Sequence, residues 1–187
     1  MGEAEASVRQ RMTRGMVSLL STRGYAATSL SEVLAASEAP RGSIYHHFPG
    51  GKDELVEAAV RRTLEGAIRT LEGMRGLDLP GVLAAFAASW RGILEYTDCT
   101  GACAIMAVSV GADKQELREL AAEAFRQWEE ELADILRSAG MPEGRCAEQA
   151  RFLLASYEGA VLLGRAQHSL AVFDAVDGVI RSAVLSV

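Results

Sequence analysis

A chain of 187 residues, of which 49% are hydrophobic, is long enough to bury a core in one large domain or two small ones. The net charge of −6 argues against a general polyanion binder, and three cysteines are too few for a disulfide-rich secreted fold. No run approaches the roughly 18 apolar residues of a membrane span, and the first residues, Met-Gly-Glu-Ala-Glu, lack the basic-then-apolar order of a signal peptide. We therefore expect a cytoplasmic protein with free thiols.

The first helix is predicted from about Ser7 to Thr22, and Gly24 ends it. One stripe of this helix is apolar and comprises Val8, Met12, Met16, Leu19 and Leu20. Three arginines lie on the other faces, namely Arg9, Arg11 and Arg14. We interpret these arginines as solvated surface, with one of them close to a phosphate of a bound nucleic acid.

The segment from Thr28 to Leu55 contains two short helical patterns on either side of a sharp turn. Ser29 and Glu32 form the reciprocal capping-box pattern, so a helix is predicted from Ser29 to Ala36. Its inward face carries Leu30, Val33 and Leu34. Pro40 suits the first position of the next helix, which we expect to make about two turns with Ile44 and Phe48 pointing into the core.

The outward side of this last helix is rich in groups that hydrogen-bond to bases and phosphates. It carries Arg41, Ser43, Tyr45, His46 and His47. Gly42 has no side chain and would let the backbone approach a groove closely. After Pro49-Gly-Gly, a further helix starts at Lys52, where N-terminal amides and the ammonium group suit a phosphate.

The order of these motifs resembles the N-terminal domain of the TetR family of one-component transcriptional repressors. The resemblance rests on Gly24-Tyr25, Thr28, the helix from Ser29, Gly42-Ser-Ile-Tyr-His-His-Phe48 and Lys52-Asp-Glu-Leu55. The Pro-Arg-Gly-Ser start and the Phe-Pro-Gly-Gly-Lys loop are similar to its LmrA-like branch, and the close match covers roughly residues 8 to 60. The resemblance implies that Arg41, Gly42, Ser43 and Tyr45 face bases or adjacent phosphates, while Thr28, His46, His47 and Lys52 hold the DNA backbone. With the outward Ser29 and Ser31, the predicted DNA-binding residues are Thr28, Ser29, Ser31, Arg41, Gly42, Ser43, Tyr45, His46, His47 and Lys52.

The inter-helix turn departs from the family pattern, because Glu38 stands where many members have glycine and Pro40 where many have a serine cap. If Glu38 takes a positive φ, it bears a steric cost that glycine avoids, and it also sets a negative charge beside DNA. Residues 1 to 60 hold six Lys or Arg and seven Asp or Glu, so this domain is not basic overall. A few well-placed donors are sufficient for a dimeric reader, and tight binding at high salt is not expected.

The fold class expected for the chain is all-α. An N-terminal three-helix helix-turn-helix domain, residues 1–52, is joined by a shared helix to a larger helical ligand-binding and dimerisation domain, residues 53–187. The shared helix is predicted from Lys52 to about Met74. Further helices are predicted at Gly81 to Tyr96, Ala102 to Val110, Gln115 to Ser138, Gly144 to His168 and Ala171 to Leu185.

The last two predicted helices carry more apolar surface than a monomer of this size leaves at a chain end. Small residues such as Gly159, Ala160 and Gly164 permit close helix contact. We expect a two-fold four-helix interface that makes a homodimer and spaces two recognition helices on one duplex. The alternative is that both helices complete an intramolecular core.

Aromatic and sulfur side chains of the middle helices are the candidate ligand site: Phe86, Trp90, Ile93, Cys103, Met106, Phe125, Trp128, Phe152 and Tyr157. Each of them, taken alone, is equally suited to core packing. The family resemblance implies that together they bind a small apolar or aromatic molecule. Such a ligand would shift the Lys52 helix and release the operator, provided that it binds the DNA-incompetent state more tightly.

Other chemistry is not favoured by the sequence. Gly50-Gly-Lys52 is not a phosphate-binding loop, because Asp53 replaces the required Ser or Thr and no strand precedes it. Cys99 and Cys103 lack a placed histidine for metal binding, although a redox-sensing pair stays open. No catalytic set, metal or cofactor is expected, so we do not expect an enzyme. The alternative function is a helical small-molecule carrier or interaction module that no longer reads DNA.

Overall fold

The computed structural model describes residues 7–185, and within them every regular element is helical. A 3-10 turn at Arg41–Ser43 directly precedes the third α-helix. The α-helices are α1 (Val8–Arg23), α2 (Leu30–Ala36), α3 (Ile44–His47), α4 (Lys52–Glu72), α5 (Leu79–Tyr96), α6 (Ala104–Gly111), α7 (Gln115–Ser138), α8 (Glu143–Gln167) and α9 (Ala171–Leu185). The predicted all-helical fold is confirmed, and none of the described helices is both long and apolar enough to cross a membrane.

Helix ends follow the capping residues that the sequence offers. The Ser29 hydroxyl accepts from the Glu32 amide at 3.3 Å, and the Glu32 carboxylate accepts from the Ser29 amide at 2.8 Å. The predicted capping box of α2 is therefore present, and Ser7 forms a similar box with Gln10 at the start of α1. Each box satisfies backbone donors that the first helical turn leaves without partners.

The segment from Pro40 to Phe48, the recognition segment, differs in part from its prediction. Pro40 is not the first helical residue, because its ψ of 139° is extended and it precedes the 3-10 turn. Arg41–Ser43 and the four residues of α3 together make the predicted two turns, but only the second of these turns is α-helical. Gly42 and Ser43 are poor helix formers, and the Ser43 hydroxyl donates to the Pro40 carbonyl at 2.6 Å. A tighter first turn results.

The described chain forms two compact units. The first contains the described residues up to Glu65 together with Cys103–Ala124, and the second contains Gly66–Ala102 and the described residues from Phe125 onwards. One division falls inside α4, one between α5 and α6, and one inside α7. The domain boundary after residue 52 stays a prediction. In the first unit, α1 packs on α2 around Gly15, whose missing Cβ would lie 3.6 Å from the Val33 carbonyl oxygen.

In the second unit, α8 packs on α5 and α9. A Cβ at Gly164 of α8 would lie 2.9 Å from a methyl carbon of Leu94 and 3.1 Å from the Ser169 carbonyl oxygen. Glycine at this position therefore allows α8 to lie close to α5. Leu94 and Ser169 both belong to the second unit, and Leu94 is fully buried.

Four helices end in the same hydrogen-bonded C-cap with a left-handed residue. After α2, the Ala39 amide donates to the Leu34 carbonyl at 3.1 Å, and the Glu38 amide donates to the Ala35 carbonyl at 3.3 Å. This is a Schellman motif, whose left-handed position is usually glycine. After α7 that residue is Gly140 (φ 96°), but elsewhere it is Glu38 (φ 53°), Asp98 (φ 48°) and His168 (φ 48°). The positive φ considered for Glu38 is confirmed.

Candidate nucleic-acid interface

The exposed polar groups predicted to contact DNA lie on α2 and α3. Tyr45 is 64% exposed, which is a large solvent contact for an aromatic side chain. His46 is also exposed, and its ring meets the His47 ring edge-on at 4.9 Å between centroids. At the start of α2, the hydroxyls of Ser29 and Ser31 are exposed and 3.0 Å apart. These groups present donors and acceptors to solvent, whereas Ile44 and Phe48 are buried.

The turn before α3 carries two of the predicted contacts. A Cβ added to Gly42 would meet no described atom within 4 Å, so the packing of the chain does not require glycine there. Close approach of an external molecule to the backbone remains the prediction for this residue. The backbone of Arg41 lies in the 3-10 turn, but its side chain lies outside the part of the chain that the structure describes.

Two predicted backbone contacts also organise the first unit internally. Thr28 is only 2% exposed, and its hydroxyl donates to the Gly24 carbonyl at 2.7 Å. The Lys52 ammonium donates to the Tyr25 carbonyl at 3.0 Å and lies 4.2 Å from the centroid of the Tyr25 ring. These contacts hold the loop between α1 and α2 against the start of α4. The roles of Thr28 and Lys52 towards DNA stay predictions.

A groove of about 710 Å³ separates α2 from the recognition segment. Its walls include Leu30, Leu34, Ala39 and Tyr45. The sequence pattern predicted that Leu30 and Leu34 point into the core, but both are only half-buried. Glu38 stands at its edge with an exposed side chain. A carboxylate at this place opposes the approach of a polyanion to the groove.

The carboxylate of α2 is held by neighbours. Glu32 accepts hydrogen bonds from the hydroxyl and amide of Ser29, and Arg23 forms an ion pair with it. These contacts, the Ser29 hydroxyl first, hold the pKa of the Glu32 carboxyl below its usual value. Glu32 is therefore ionised at neutral pH and serves the helix cap.

The arginines of α1 do more than the solvated-surface interpretation assigned to them. The Arg11 Nε donates to the Ser37 carbonyl at 3.2 Å, next to the left-handed Glu38. Arg9 donates to the carbonyl of His47, the last residue of α3. Both arginines are therefore engaged with the ends of the helix-turn-helix, and no pattern in the sequence indicated these contacts across 26 and 38 residues.

The second unit contains the aromatic part of the predicted ligand site. The rings of Trp90 and Trp128 are stacked at 5.3 Å and 6°, and Phe86 meets both Trp90 and Tyr157 edge-on. Phe173 of α9 stacks on Tyr157 at 5.5 Å and was missed by the sequence analysis. All five rings are buried.

The other predicted ligand residues are distributed differently. Ile93 and Phe125 are half-buried in the second unit, whereas Phe152 is 41% exposed. Cys103 and Met106 belong to the first unit. The structure therefore brings together Phe86, Trp90, Trp128 and Tyr157, and it does not show the nine residues as one lining.

Two features of the aromatic cluster bear on ligand chemistry. The indole N–H groups of Trp90 and Trp128 are buried and have no hydrogen-bond acceptor among the described residues. The Tyr157 hydroxyl, in contrast, donates to the Asp177 carboxylate at 2.6 Å, and Arg181 donates to the same carboxylate at 2.8 Å. Burial and then the Asp177 carboxylate raise the pKa of Tyr157 above its usual value. The Tyr157 contact joins α8 to α9.

Helices α8 and α9 also present apolar side chains to solvent. Leu162 and Leu163 of α8 are 54% and 49% exposed, and Val179 of α9 is 69% exposed. Phe152 lies three turns before Leu163 on the same side of α8. This face is the one predicted for dimerisation, and isolated monomers rarely expose several large apolar residues together.

Comparison with known proteins covers both units. The family profile described as "Bacterial regulatory proteins, tetR family" matches residues 15–59. The profile described as "Transcriptional regulator LmrA/YxaF-like, C-terminal domain" matches residues 81–178.

Individual relatives extend these matches over the full fold. An uncharacterized HTH-type transcriptional regulator of Mycobacterium tuberculosis is 36% identical, over 95% of this chain and 94% of its own. The HTH-type transcriptional regulator LmrA of Bacillus subtilis is 27% identical, over 83% of this chain and 85% of its own. A TetR transcriptional regulator from Legionella pneumophila has the same fold, with a TM-score of 0.84 at 19% identity over 97% and 99% of the two chains.

Proposed function

Because the chain belongs to the TetR family of DNA-binding transcriptional regulators, we propose that it is a one-component repressor that binds a near-palindromic operator as a homodimer and is released by a small molecule. The family consists of regulators and not of enzymes. The observation that carries the proposal is the polar surface of α2 and α3, with Tyr45 and His46 exposed and with Ile44 and Phe48 buried. The protein acts where the chromosome lies, in the cytoplasm.

The DNA contacts divide into two kinds. We propose that Arg41, Gly42 and Tyr45 contact bases or neighbouring phosphates, and the open space around Gly42 supports this proposal. The exposed hydroxyl of Ser31 in the first turn of α2 supplies a further phosphate donor, whereas the hydroxyl and amide of Ser29 already donate to Glu32. Because residues 1 to 60 hold six basic and seven acidic residues, specific affinity depends on fit more than on overall charge.

Dimerisation through α8 and α9 is supported by their exposed apolar face. Replacing both Leu162 and Leu163 by Glu puts two charges into the proposed interface, and we expect monomers in sedimentation velocity at micromolar concentration. The matched control is Leu77→Glu, because Leu77 is a similarly exposed leucine, at 41%, outside these helices. Dimers that persist in the double variant would contradict this interface.

The ligand proposal rests on the aromatic cluster of the second unit. A planar apolar or aromatic molecule suits the stacked rings of Trp90 and Trp128. Their two buried N–H groups favour a ligand that also carries a hydrogen-bond acceptor, since an unpaired buried donor is costly. Binding would bias α4, which begins at Lys52 and continues into the second unit, towards a DNA-incompetent position.

Matched aromatic compounds test the ligand chemistry. Pairs that share one carbon skeleton, with and without a carbonyl oxygen, are compared by thermal shift and by release of operator DNA. We expect the carbonyl-bearing members to raise the unfolding temperature and to weaken DNA binding, and Trp128→Phe to reduce the difference within each pair. Equal behaviour of the two members would contradict the acceptor requirement.

A reporter assay tests the repressor role. Transcription from the promoters that flank the gene is measured with and without the protein, and repression that Arg41→Ala abolishes is the expected result. Activation would show a regulator of opposite sign. Ligand binding without any sequence-specific DNA binding would favour the helical carrier, although family membership supports the regulator.

A further inference from the structure

Arg9 of α1 contacts the C-terminal end of α3, the recognition helix. Arg9 donates from Nη1 to the His47 carbonyl, and its Nη2 lies 3.5 Å from Oε1 of Glu54 in the first turn of α4. The guanidinium carbon is 4.2 Å from the centroid of the Phe48 ring. We propose that Arg9 is a positioning residue for operator recognition, which fixes the C-terminal end of α3 and does not itself contact DNA. The inference rests on the proposed reading of DNA by α3.

The recognition helix needs such support because it is short. Four residues make one turn, and neither α3 nor the 3-10 turn before it has a side-chain N-cap. A helix of this length is unstable by itself, since nucleation is costly and few hydrogen bonds repay it. Burial of Ile44 and Phe48 holds its inner side. Its outer, DNA-facing side carries Tyr45 and His46, and burial of the inner side does not prevent the backbone that carries them from fraying.

Arg9 acts at the end of the helix where support is missing. The last carbonyl groups of a helix have no intrahelical donor, and cations near them are favoured by the helix dipole. The carbonyl of His47 is such a group, and the Arg9 guanidinium donates to it. Because His47 directly follows Tyr45 and His46, a fixed carbonyl at residue 47 fixes the backbone that carries both side chains.

The same geometry argues against a phosphate contact for Arg9. One face of the guanidinium lies on Phe48, one amino group donates to a carbonyl, and the other faces a carboxylate. A phosphate would have to displace these partners and would meet the negative charge of Glu54. An arginine reserved for phosphate would keep its planar donor fork available.

A substitution that keeps the charge separates the two roles. In Arg9→Lys the ammonium retains the positive charge and binds phosphate well, but it cannot stack, donate to His47 and reach Glu54 together. We expect operator binding to weaken about tenfold, the effect of one lost charge-assisted hydrogen bond. Binding to random duplex and the salt slope of operator binding should stay unchanged, because no phosphate contact is lost. Arg14→Lys, on an exposed residue of the same helix, is the matched control and should alter none of these.

For a second substitution, Glu54→Gln, the two roles of Arg9 predict opposite changes in DNA affinity. Glu54→Gln removes a negative charge near α3, and its amide oxygen can still accept from the Gly50 amide, which Glu54 does at 2.9 Å. If Arg9 is a positioning residue, operator binding weakens about two- to fivefold, as for a lost exposed ion pair. If Arg9 contacts phosphate, the freed arginine binds every duplex more tightly. Tighter binding by Glu54→Gln, or a lower salt slope in Arg9→Lys, would overturn the proposal.

Hydrogen exchange supplies a readout that needs no DNA. Amide exchange of residues 44–48 should accelerate in Arg9→Lys and not in Arg14→Lys, with circular dichroism confirming that both variants are folded. Unchanged exchange in Arg9→Lys would overturn the positioning role. A wild-type protein without any specific operator would refute the proposed function instead, and the exchange result would still decide the role of Arg9 in holding α3.

Discussion

Replacing Glu38 by glycine should stabilise the protein. Glu38 occupies the left-handed position of a Schellman motif at φ 53°, where Gly140 stands in the equivalent motif after α7. A left-handed conformation costs a residue with a Cβ about 1 to 2 kcal/mol, and glycine avoids this cost. The greater freedom of glycine in the unfolded chain offsets about 0.4 to 1 kcal/mol. The net gain for Glu38→Gly is therefore about 0.5 to 1 kcal/mol, or about 2 °C in unfolding temperature.

Two further variants isolate the backbone effect. Glu38→Ala removes the same carboxylate but keeps a Cβ at a positive φ, so it should not show the gain. Gly140→Ala places a Cβ at φ 96° and should be destabilised by about 1 kcal/mol. Unfolding is followed by circular dichroism, because both tryptophans belong to the second unit and their fluorescence does not report on Glu38. Equal stability of Glu38→Gly and Glu38→Ala would refute the strain argument.

Three other substitutions, one of them with a matched control, probe the packing and the helix capping that the fold depends on. Tyr157→Phe should cost about 1 to 2 kcal/mol by removing the hydrogen bond to Asp177. Folding raises the pKa of Tyr157, so its contribution to the free energy of unfolding is complete below the unfolded pKa of about 10 and falls at higher pH. In urea titrations, the free energy of unfolding of Tyr157→Phe should therefore decrease less above that pH than that of the wild type. Gly164→Ala should cost about 1 to 3 kcal/mol, because the new methyl group meets Leu94 and a backbone oxygen. Its control is Gly144→Ala, whose new methyl group meets no described atom within 4 Å, and calorimetry should show almost no change in its stability. Ser29→Ala should cost about 1 kcal/mol by removing the cap of α2, and an unchanged unfolding temperature would contradict the observed capping box.

Helix existence and most helix ends could be predicted because they depend on local patterns. The range of α7 is the predicted one, and the capping box of Ser29 and Glu32 marked the start of α2 correctly. The recognition segment was less accurate, because proline before a poorly helical Gly-Ser pair favours a 3-10 turn as much as an α-helical one. The sequence also marked Glu38 as the residue that would need a positive φ, from the place of glycine in related proteins.

In the candidate site, sequence patterns predict which side chains are exposed but not which residues distant in sequence come into contact. Exposed polar positions such as Tyr45 and His46 follow from helical periodicity, since their neighbours Ile44 and Phe48 are the apolar ones. The contact of Arg9 with His47 joins residues 38 apart, and no local rule relates them. In the second unit, aromatic composition indicated a cluster, but which rings meet depends on how α5, α7 and α8 pack.

The central claim is that this chain reads one operator as a dimer. The most direct measurement is fluorescence anisotropy of the purified protein against tiled duplexes from the region flanking its gene, at two salt concentrations. We predict tight binding to one near-palindromic tile, weakened by about 1 to 3 kcal/mol in Arg41→Ala while random DNA is bound as before. Weak, salt-sensitive binding to every tile, equal for the wild type and the variant, would contradict the claim.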